Sequence, residues 1–71
     1  MKITNQIARF RKETKTSQAE LAAAVGVTRQ TIISLEGGKY IASLPLAYKI
    51  ARNFGRTIEE TFNLEGVFNN E

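Results

Sequence analysis

The chain has 71 residues, 42% of them hydrophobic, which is enough for one small domain with a single core. It contains neither cysteine nor histidine, so disulfides, thiolate metal sites, the commonest zinc ligand and the commonest general base are all missing. We therefore expect a protein that is not an enzyme and that uses no metal or other cofactor.

The first predicted helix follows from hydrophobic spacing near the start of the chain. Ile3, Ile7 and Phe10 recur at the interval of one helical face, which predicts a helix from about Thr4 to Thr14. No apolar stretch follows the single early lysine, so no secretory signal is predicted.

The second and third helices are predicted from their boundary residues. Residues 17–20 (Ser-Gln-Ala-Glu) form a capping box that begins a helix, which continues through Val25 and ends at Gly26. Thr28 is a natural cap for a third helix, which Gly37 and Gly38 end.

Two further helices are predicted in the second half. Ser43 caps the fourth helix with Pro45 in its first turn, and Gly55 ends it. Its predicted buried stripe consists of Leu44, Ala47, Ile50, Ala51 and Phe54. Residues 57–60 (Thr-Ile-Glu-Glu) form a second capping box, which begins a fifth helix with Ile58 and Phe62 facing inward.

These elements predict an all-α domain. Residues 2–4 and 62–64 both alternate, so the chain ends can pair as a small two-stranded sheet. We assign residues 1–64 to the domain and residues 65–71 to an acidic and apolar tail.

Charge is divided unevenly along the chain. Residues 1–56 hold ten Lys and Arg against three Glu, a balance of +7, whereas residues 57–71 hold four Glu and no base, a balance of −4. A basic body suggests a polyanionic partner; the alternative is a solvated surface, and charge alone favours neither. The longest apolar run is residues 21–25, far short of the roughly 20 residues that span a bilayer, so no membrane partner is predicted.

The segment 18–36 carries the strongest functional signal. A small residue, Ala22, lies where two steeply crossing helices would touch, and Gly26 lies where the turn requires a positive φ. The motifs SQAELA (17–22), VGVTRQTI (25–32), LE (35–36) and GKY (38–40) together resemble the helix-turn-helix family of phage repressors, Cro-type proteins and bacterial xenobiotic-response-element regulators. SLPLAYKIAR (43–52) and TIEE (57–60) are similar to short, free-standing members, so the resemblance spans residues 3–64.

The resemblance implies that the third helix, residues 28–36, lies in the major groove of double-stranded DNA. The predicted base-reading residues are Arg29, Gln30, Ser34, Thr28 and Ile33. Arginine can bond a guanine edge and glutamine an adenine edge, and isoleucine can lie against a thymine methyl. The alternative for Arg29 and Gln30 is simple solvation. For Ser34 the alternative is a role as a spacer, and for Thr28 it is capping of the helix.

The family pattern also implies contacts to the DNA backbone and one structural ion pair. The predicted phosphate-contacting residues are Gln18, Thr31, Lys39 and Tyr40, although Tyr40 can instead pack on the domain. Glu36 on the inward side of the third helix is expected to pair with Arg11. One departure from the family is Lys15, which stands where glycine is usual and must either adopt a left-handed conformation or bend the turn differently.

We expect a transcriptional repressor that acts in the cytoplasm, on the nucleoid, as a homodimer on an inverted-repeat operator. A single small module rarely provides enough specificity, and two-fold dimers are usual in this family. The predicted dimer residues are Tyr48, Phe62, Leu64, Val67 and Phe68. The alternative to a dimer is a monomer with a frayed tail.

The alternative to a DNA-binding function is a protein-interaction module such as an antitoxin or adaptor. The pattern indicates no small-molecule ligand.

Overall fold

A computed structural model describes residues 5–39 and 42–62 of the chain. The helices are α1 Ile7–Glu13, α2 Gln18–Val25, α3 Arg29–Glu36, α4 Leu44–Asn53 and α5 Ile58–Thr61. The predicted all-α fold with five helices is confirmed, and the boundaries of α2 and α3 agree with those expected from the sequence.

Four of the five helices begin at a hydroxyl cap. The capping residues are Ser17, Thr28, Ser43 and Thr57. Each hydroxyl oxygen accepts a hydrogen bond from the backbone N–H three residues later, which would otherwise lack a partner at the helix start. Both predicted capping boxes are closed, because the carboxylates of Glu20 and Glu60 accept the Ser17 and Thr57 backbone N–H groups at 2.8 and 2.9 Å.

The first helix begins later than the hydrophobic spacing predicted. It starts at Ile7, whose backbone N–H donates to Asn5 Oδ1 at 3.2 Å, whereas Thr4 lies outside the described residues. Asn5 forms an isolated antiparallel bridge with Phe62 instead of joining the helix. The pairing expected between residues 2–4 and 62–64 lies outside the described ranges except for Phe62, whose observed partner, Asn5, is one residue beyond the predicted segment.

The core lies between α2, α3 and α4, with α5 closing it against α4. Its clustered buried residues are Ile7, Leu21, Ala22, Val25, Ile32, Leu35, Leu46, Ala47, Ile50 and Phe62. Every helix except the short α5 contributes to this list, and Phe62 follows directly after α5. The core therefore fixes how α3 is presented on the outside of the domain.

The prediction that Leu44 of α4 lies in the core is wrong. Leu44 is 71% exposed, and Leu46 is buried in its place. The buried residues of α4 fall at 46, 47, 50 and 51, which is the spacing of a single face, whereas Leu44 occupies the first helical position, before the buried part of the helix begins. Phe54, also predicted for the stripe, is half-buried after the end of α4.

The burial of Phe62 confirms its predicted inward placement and bears against its second assignment, to a dimer surface. Its side chain is only 7% exposed and packs in the core of its own domain. The extended backbone of Phe62 pairs with Asn5 and turns the ring inward, so this ring has little apolar surface left for a second copy.

Lys15 adopts the left-handed conformation that its position demands, with φ of 56°. The Thr16 N–H donates to Arg11 O and the Lys15 N–H to Lys12 O, the hydrogen bonds of a Schellman motif. Gly55 occupies the corresponding position after α4 with φ of 67°. The side chain of Lys15 therefore carries a steric cost that glycine avoids at the end of α4.

Replacing this lysine should stabilise the domain. We expect Lys15→Gly to raise the free energy of unfolding by about 0.5–1 kcal/mol, because relief of the left-handed strain exceeds the extra entropy of glycine in the unfolded chain. Urea unfolding measures the change. Lys15→Ala, which removes the same charge but keeps the Cβ, is the control, and an equal gain in both variants would show that charge is the cause.

The capping box of α2 should make stability depend on pH. Hydrogen bonds from the Ser17 backbone N–H and then from its hydroxyl lower the pKa of Glu20 and outweigh the opposing effect of burial. Since the folded pKa is depressed, this stabilisation is present above the ordinary carboxyl pKa and is lost as pH falls through the lowered value. The Tm of Glu20→Gln should therefore lie below that of the parent at neutral pH and approach it in acid. A difference in Tm between the two proteins that persists in acid would contradict this explanation.

Candidate nucleic-acid interface

The α2–turn–α3 unit has the local features that the sequence predicted. Gly26 has φ of 77°, and the Val27 N–H donates to Ala22 O at 3.0 Å across the turn. Ala22 is 3% exposed at the contact between the helices. Buried Ile32 and Leu35 fix one side of α3 in the core, so its remaining sides face away from it.

The outer side of α3 forms a shallow concavity of about 260 Å³. It is lined by Thr28, Gln30, Thr31, Ser34 and Lys39. Hydroxyl, amide and ammonium groups supply hydrogen-bond donors there, and no carboxylate lines it. The structure therefore brings together three predicted base-reading residues and two predicted phosphate-contacting residues on one surface.

The other predicted residues of this surface are placed differently. Arg29 is exposed at the first position of α3, at the amino-terminal end of the helix. Ile33 is half-buried and does not line the concavity. Tyr40 lies outside the described residues. Arg29 and Gln30 are thus the exposed polar side chains of the first turn of α3.

Thr28 serves the helix before any ligand. Its hydroxyl oxygen accepts the Thr31 N–H at 3.2 Å and lies 3.0 Å from the Thr31 hydroxyl. The cap uses part of the hydrogen-bonding capacity of Thr28, as the sequence suggested. Thr31 is linked to the same cap through both its backbone and its hydroxyl.

Arg11 and Glu36 form the ion pair expected from the sequence. Arg11 Nε donates to Glu36 Oε2 at 2.8 Å and Nη2 donates to Oε1 at 3.3 Å, which is a bidentate arrangement. The two side chains are only 16% and 11% exposed. Arg11 Nη1 also donates to Thr16 O at 3.2 Å, so one guanidinium connects α1, the loop before α2, and α3.

Gln18 belongs to the same network, which sequence reasoning missed. Its Nε2 donates to Glu36 Oε1 at 3.2 Å, and the side chain is half-buried. Glu36 therefore accepts three hydrogen bonds from two helices. No local pattern links Gln18 with Glu36, because the two residues are 18 positions apart and meet only when α2 and α3 pack together.

Asn5 is a second residue that sequence reasoning missed. Its Nδ2 donates to Leu35 O at 2.7 Å, across 30 positions of the chain, at the carboxyl end of α3. No motif marks this contact, since it depends on where the start of the chain lies against α3. Asn5 and Glu36 together hold the end of α3 opposite the exposed first turn.

Residues 5–39 and 42–62 contain no group of three or more side chains suited to holding a metal ion. In the same ranges, no helix has the length and apolarity to cross a membrane.

Comparison with known proteins identifies the family. A helix-turn-helix family model, HTH_3, matches residues 7–60. The chain belongs to the Cro/C1-type family of helix-turn-helix regulators. It is 57% identical over 60 residues to an uncharacterized HTH-type transcriptional regulator of Methanothermobacter thermautotrophicus, covering 83% of this chain and 87% of the relative. A similar regulator of Archaeoglobus fulgidus is 54% identical over 57 residues, with 80% of each chain covered.

A solved structure shares the fold. The regulator superimposes on the biofilm master regulator SinR, solved in complex with DNA, with a TM-score of 0.70 and 25% identity. The match covers 76% of this chain and 87% of SinR. The resemblance to helix-turn-helix regulators found in the sequence is confirmed. The regulator is a DNA-binding protein and not an enzyme.

Breaking the Arg11–Glu36 pair should strongly destabilise the regulator. We expect Glu36→Ala to lower the free energy of unfolding by about 3 kcal/mol or more, because Arg11 is left largely buried without a counter-charge. Glu13→Ala is the control, since it removes a carboxylate from exposed pairs with Arg9 and Arg56 and should cost no more than about 1 kcal/mol. Equal losses in urea unfolding would mean that the Glu36 pair behaves as a surface pair.

Proposed function

We propose that the regulator is a sequence-specific repressor that places α3 in the major groove of double-stranded DNA. The observation that carries this proposal is the donor-rich surface of α3, which has no acidic side chain in its lining. The eight-residue helix α3 is about 12 Å long. An α-helix with its side chains is about 10–12 Å across, and the major groove, about 12 Å wide, admits it.

Base reading is assigned to the first turn of α3 and to the concavity behind it. Arg29 and Gln30 are exposed at the end of the helix that enters the groove first, and each can make a bidentate contact to a base edge. Ser34 and Thr28 line the concavity beside them, and half-buried Ile33 supplies an apolar contact for a thymine methyl.

Contacts to the DNA backbone are assigned to Gln18, Thr31, Lys39 and Tyr40. The capping box of α2 uses the N–H groups of Ser17 and Glu20, which leaves those of Gln18 and Ala19 in the first turn for a phosphate oxygen. Lys39 lies on the concavity and adds positive charge beside the hydroxyls. Such contacts position α3 without reading sequence.

The repressor is proposed to act as a homodimer on an inverted repeat in the cytoplasm, on the nucleoid. Tyr48 supports the dimer, because it is 53% exposed and carries a large apolar ring. The sequence missed Leu44, which is more exposed and lies one helical turn before Tyr48. Leu64, Val67 and Phe68, the other predicted dimer residues, lie outside the described ranges.

Sequence selection from random duplex DNA tests the proposal. The parent should select an inverted repeat, and the double variant Arg29→Ala with Gln30→Ala should lose preference at the contacted positions by about 1–3 kcal/mol for each bidentate contact. Binding without sequence preference, together with a steep loss of affinity in salt, would leave only general phosphate attraction.

A second experiment separates contacts that position the protein on the DNA backbone from contacts that read the base sequence. Lys39→Ala should weaken binding to all sequences alike and reduce the dependence of log affinity on log salt by about one. Lys49→Ala, an exposed lysine on α4, is the matched control and should leave this slope unchanged. A change confined to the selected sequence would assign Lys39 to base reading.

A further inference from the structure

An apolar groove of about 470 Å³ lies between α4 and the first turn of α5, away from the concavity on α3. Leu44 and Tyr48 line it and are the exposed large hydrophobic residues of the described chain, at 71% and 53%. Half-buried Ile58 lines its α5 side. Two exposed side chains of this size, one turn apart on a helix, point to a partner that covers them.

Charged side chains lie at the edge of the groove. Arg52 and Arg56 both line it, with Glu59 at the α5 side. The Arg56 guanidinium is paired with Glu13 at 3.2 Å and Glu60 at 3.9 Å, and it lies 4.3 Å from the Phe10 ring centroid. Arg52 has no salt bridge within the described residues, and its guanidinium lies 5.7 Å from the Tyr48 ring centroid. The groove therefore suits an apolar segment that carries negative charge.

The chain itself contains such a segment. Residues 63–71 include three large apolar residues, Leu64, Val67 and Phe68, two glutamates and no base. One glutamate, Glu65, lies within the apolar group, next to Leu64, and the other, Glu71, follows the group. This pattern matches the groove in apolar content and is opposite to it in charge.

The place where the chain leaves the domain favours a second copy as the source of this segment. The groove is lined by Ile58 and Glu59 at the start of α5, whereas the chain leaves at the end of this four-residue helix through Phe62, which is paired with Asn5. Leu64 follows only two residues later, a reach of about 7 Å, so Leu64 can lie in its own groove only if the chain reverses directly after Phe62. Across a two-fold axis, each copy can give its segment and receive that of its partner, as an isologous dimer requires.

We propose that residues 63–71 of one copy dock in the α4–α5 groove of the other, with apolar side chains on Leu44 and Tyr48 and a glutamate beside Arg52. This inference rests on the proposed homodimer and identifies how it forms. It leaves α3 of both copies free for DNA, because the groove and the concavity on α3 share no lining residue.

Tryptophan fluorescence tests the exchange, because the chain contains no tryptophan. In Phe68→Trp, the emission should move to shorter wavelength at high protein concentration and return toward that of exposed tryptophan on dilution. Adding Leu44→Glu should abolish the shift and weaken dimerisation at least tenfold in sedimentation experiments. Asn53→Glu, exposed on the same helix and outside the lining, is the control and should leave both unchanged.

Mixing the chains identifies the source of the segment. The Phe68→Trp, Leu44→Glu chain alone has a blocked groove, and an excess of parent chain, which has an intact groove and no tryptophan, should restore the shift. The proposal would be overturned if the shift in Phe68→Trp did not depend on concentration and if parent chain did not restore the shift in the double variant. Those two results together would show that each chain fills its own groove. Emission that stays exposed throughout would also overturn the proposal.

The same samples separate this proposal from the proposed function. If Phe68→Trp still selects an inverted repeat while its tryptophan stays exposed, the DNA-binding dimer stands and forms through another surface. Loss of sequence selection together with an intact fluorescence shift would contradict the DNA-reading role instead.

Discussion

The carboxylate of Glu36 is the interaction on which the arrangement of the helix-turn-helix depends. It accepts two hydrogen bonds from Arg11 and one from Gln18, so α1, α2 and α3 meet at a single group that is almost removed from solvent. A buried carboxylate is costly unless its oxygens are satisfied, and here the satisfaction requires three helices to be in register at once. Asn5 holds the neighbouring carbonyl of Leu35 from the opposite direction. The carboxyl end of α3 is thereby fixed, and its first turn is left exposed.

This arrangement divides the surface by chemistry. The side of α3 away from the core carries hydroxyl, amide and ammonium groups, which suit phosphates and base edges. The α4–α5 side carries exposed apolar side chains with arginines at the edge, which suit an acidic apolar segment. A domain of this size has few surfaces to use, and the two functions proposed here require different ones. Reading DNA and pairing with a second copy can then occur together.

The rest of the core supports these surfaces with short-range contacts. Phe10 packs edge-to-face on Phe54 with ring centroids 5.9 Å apart, and Arg56 covers Phe10 while pairing with Glu13 and Glu60. This cluster joins α1 to the α4–α5 corner on the side of the domain that the Glu36 network does not reach. The exposed pairs add little by themselves, so the aromatic contact is the stronger part of the cluster.

The sequence by itself determined where α2 to α5 begin and how they are capped, because these features depend on residues within one turn of each other. The motifs along the chain also determined the family. Ser17 with Glu20, Thr28 and Gly26 each act on the local backbone, and each has the predicted conformation. Only the tertiary structure decided which residues face the core and which side chains meet at a distance. The period of a helix predicts a stripe but not how far along the helix the core covers it, so Leu44 at the first position was placed inside and is exposed. Asn5 meets Phe62 and the carbonyl of Leu35 through contacts that no local pattern contains.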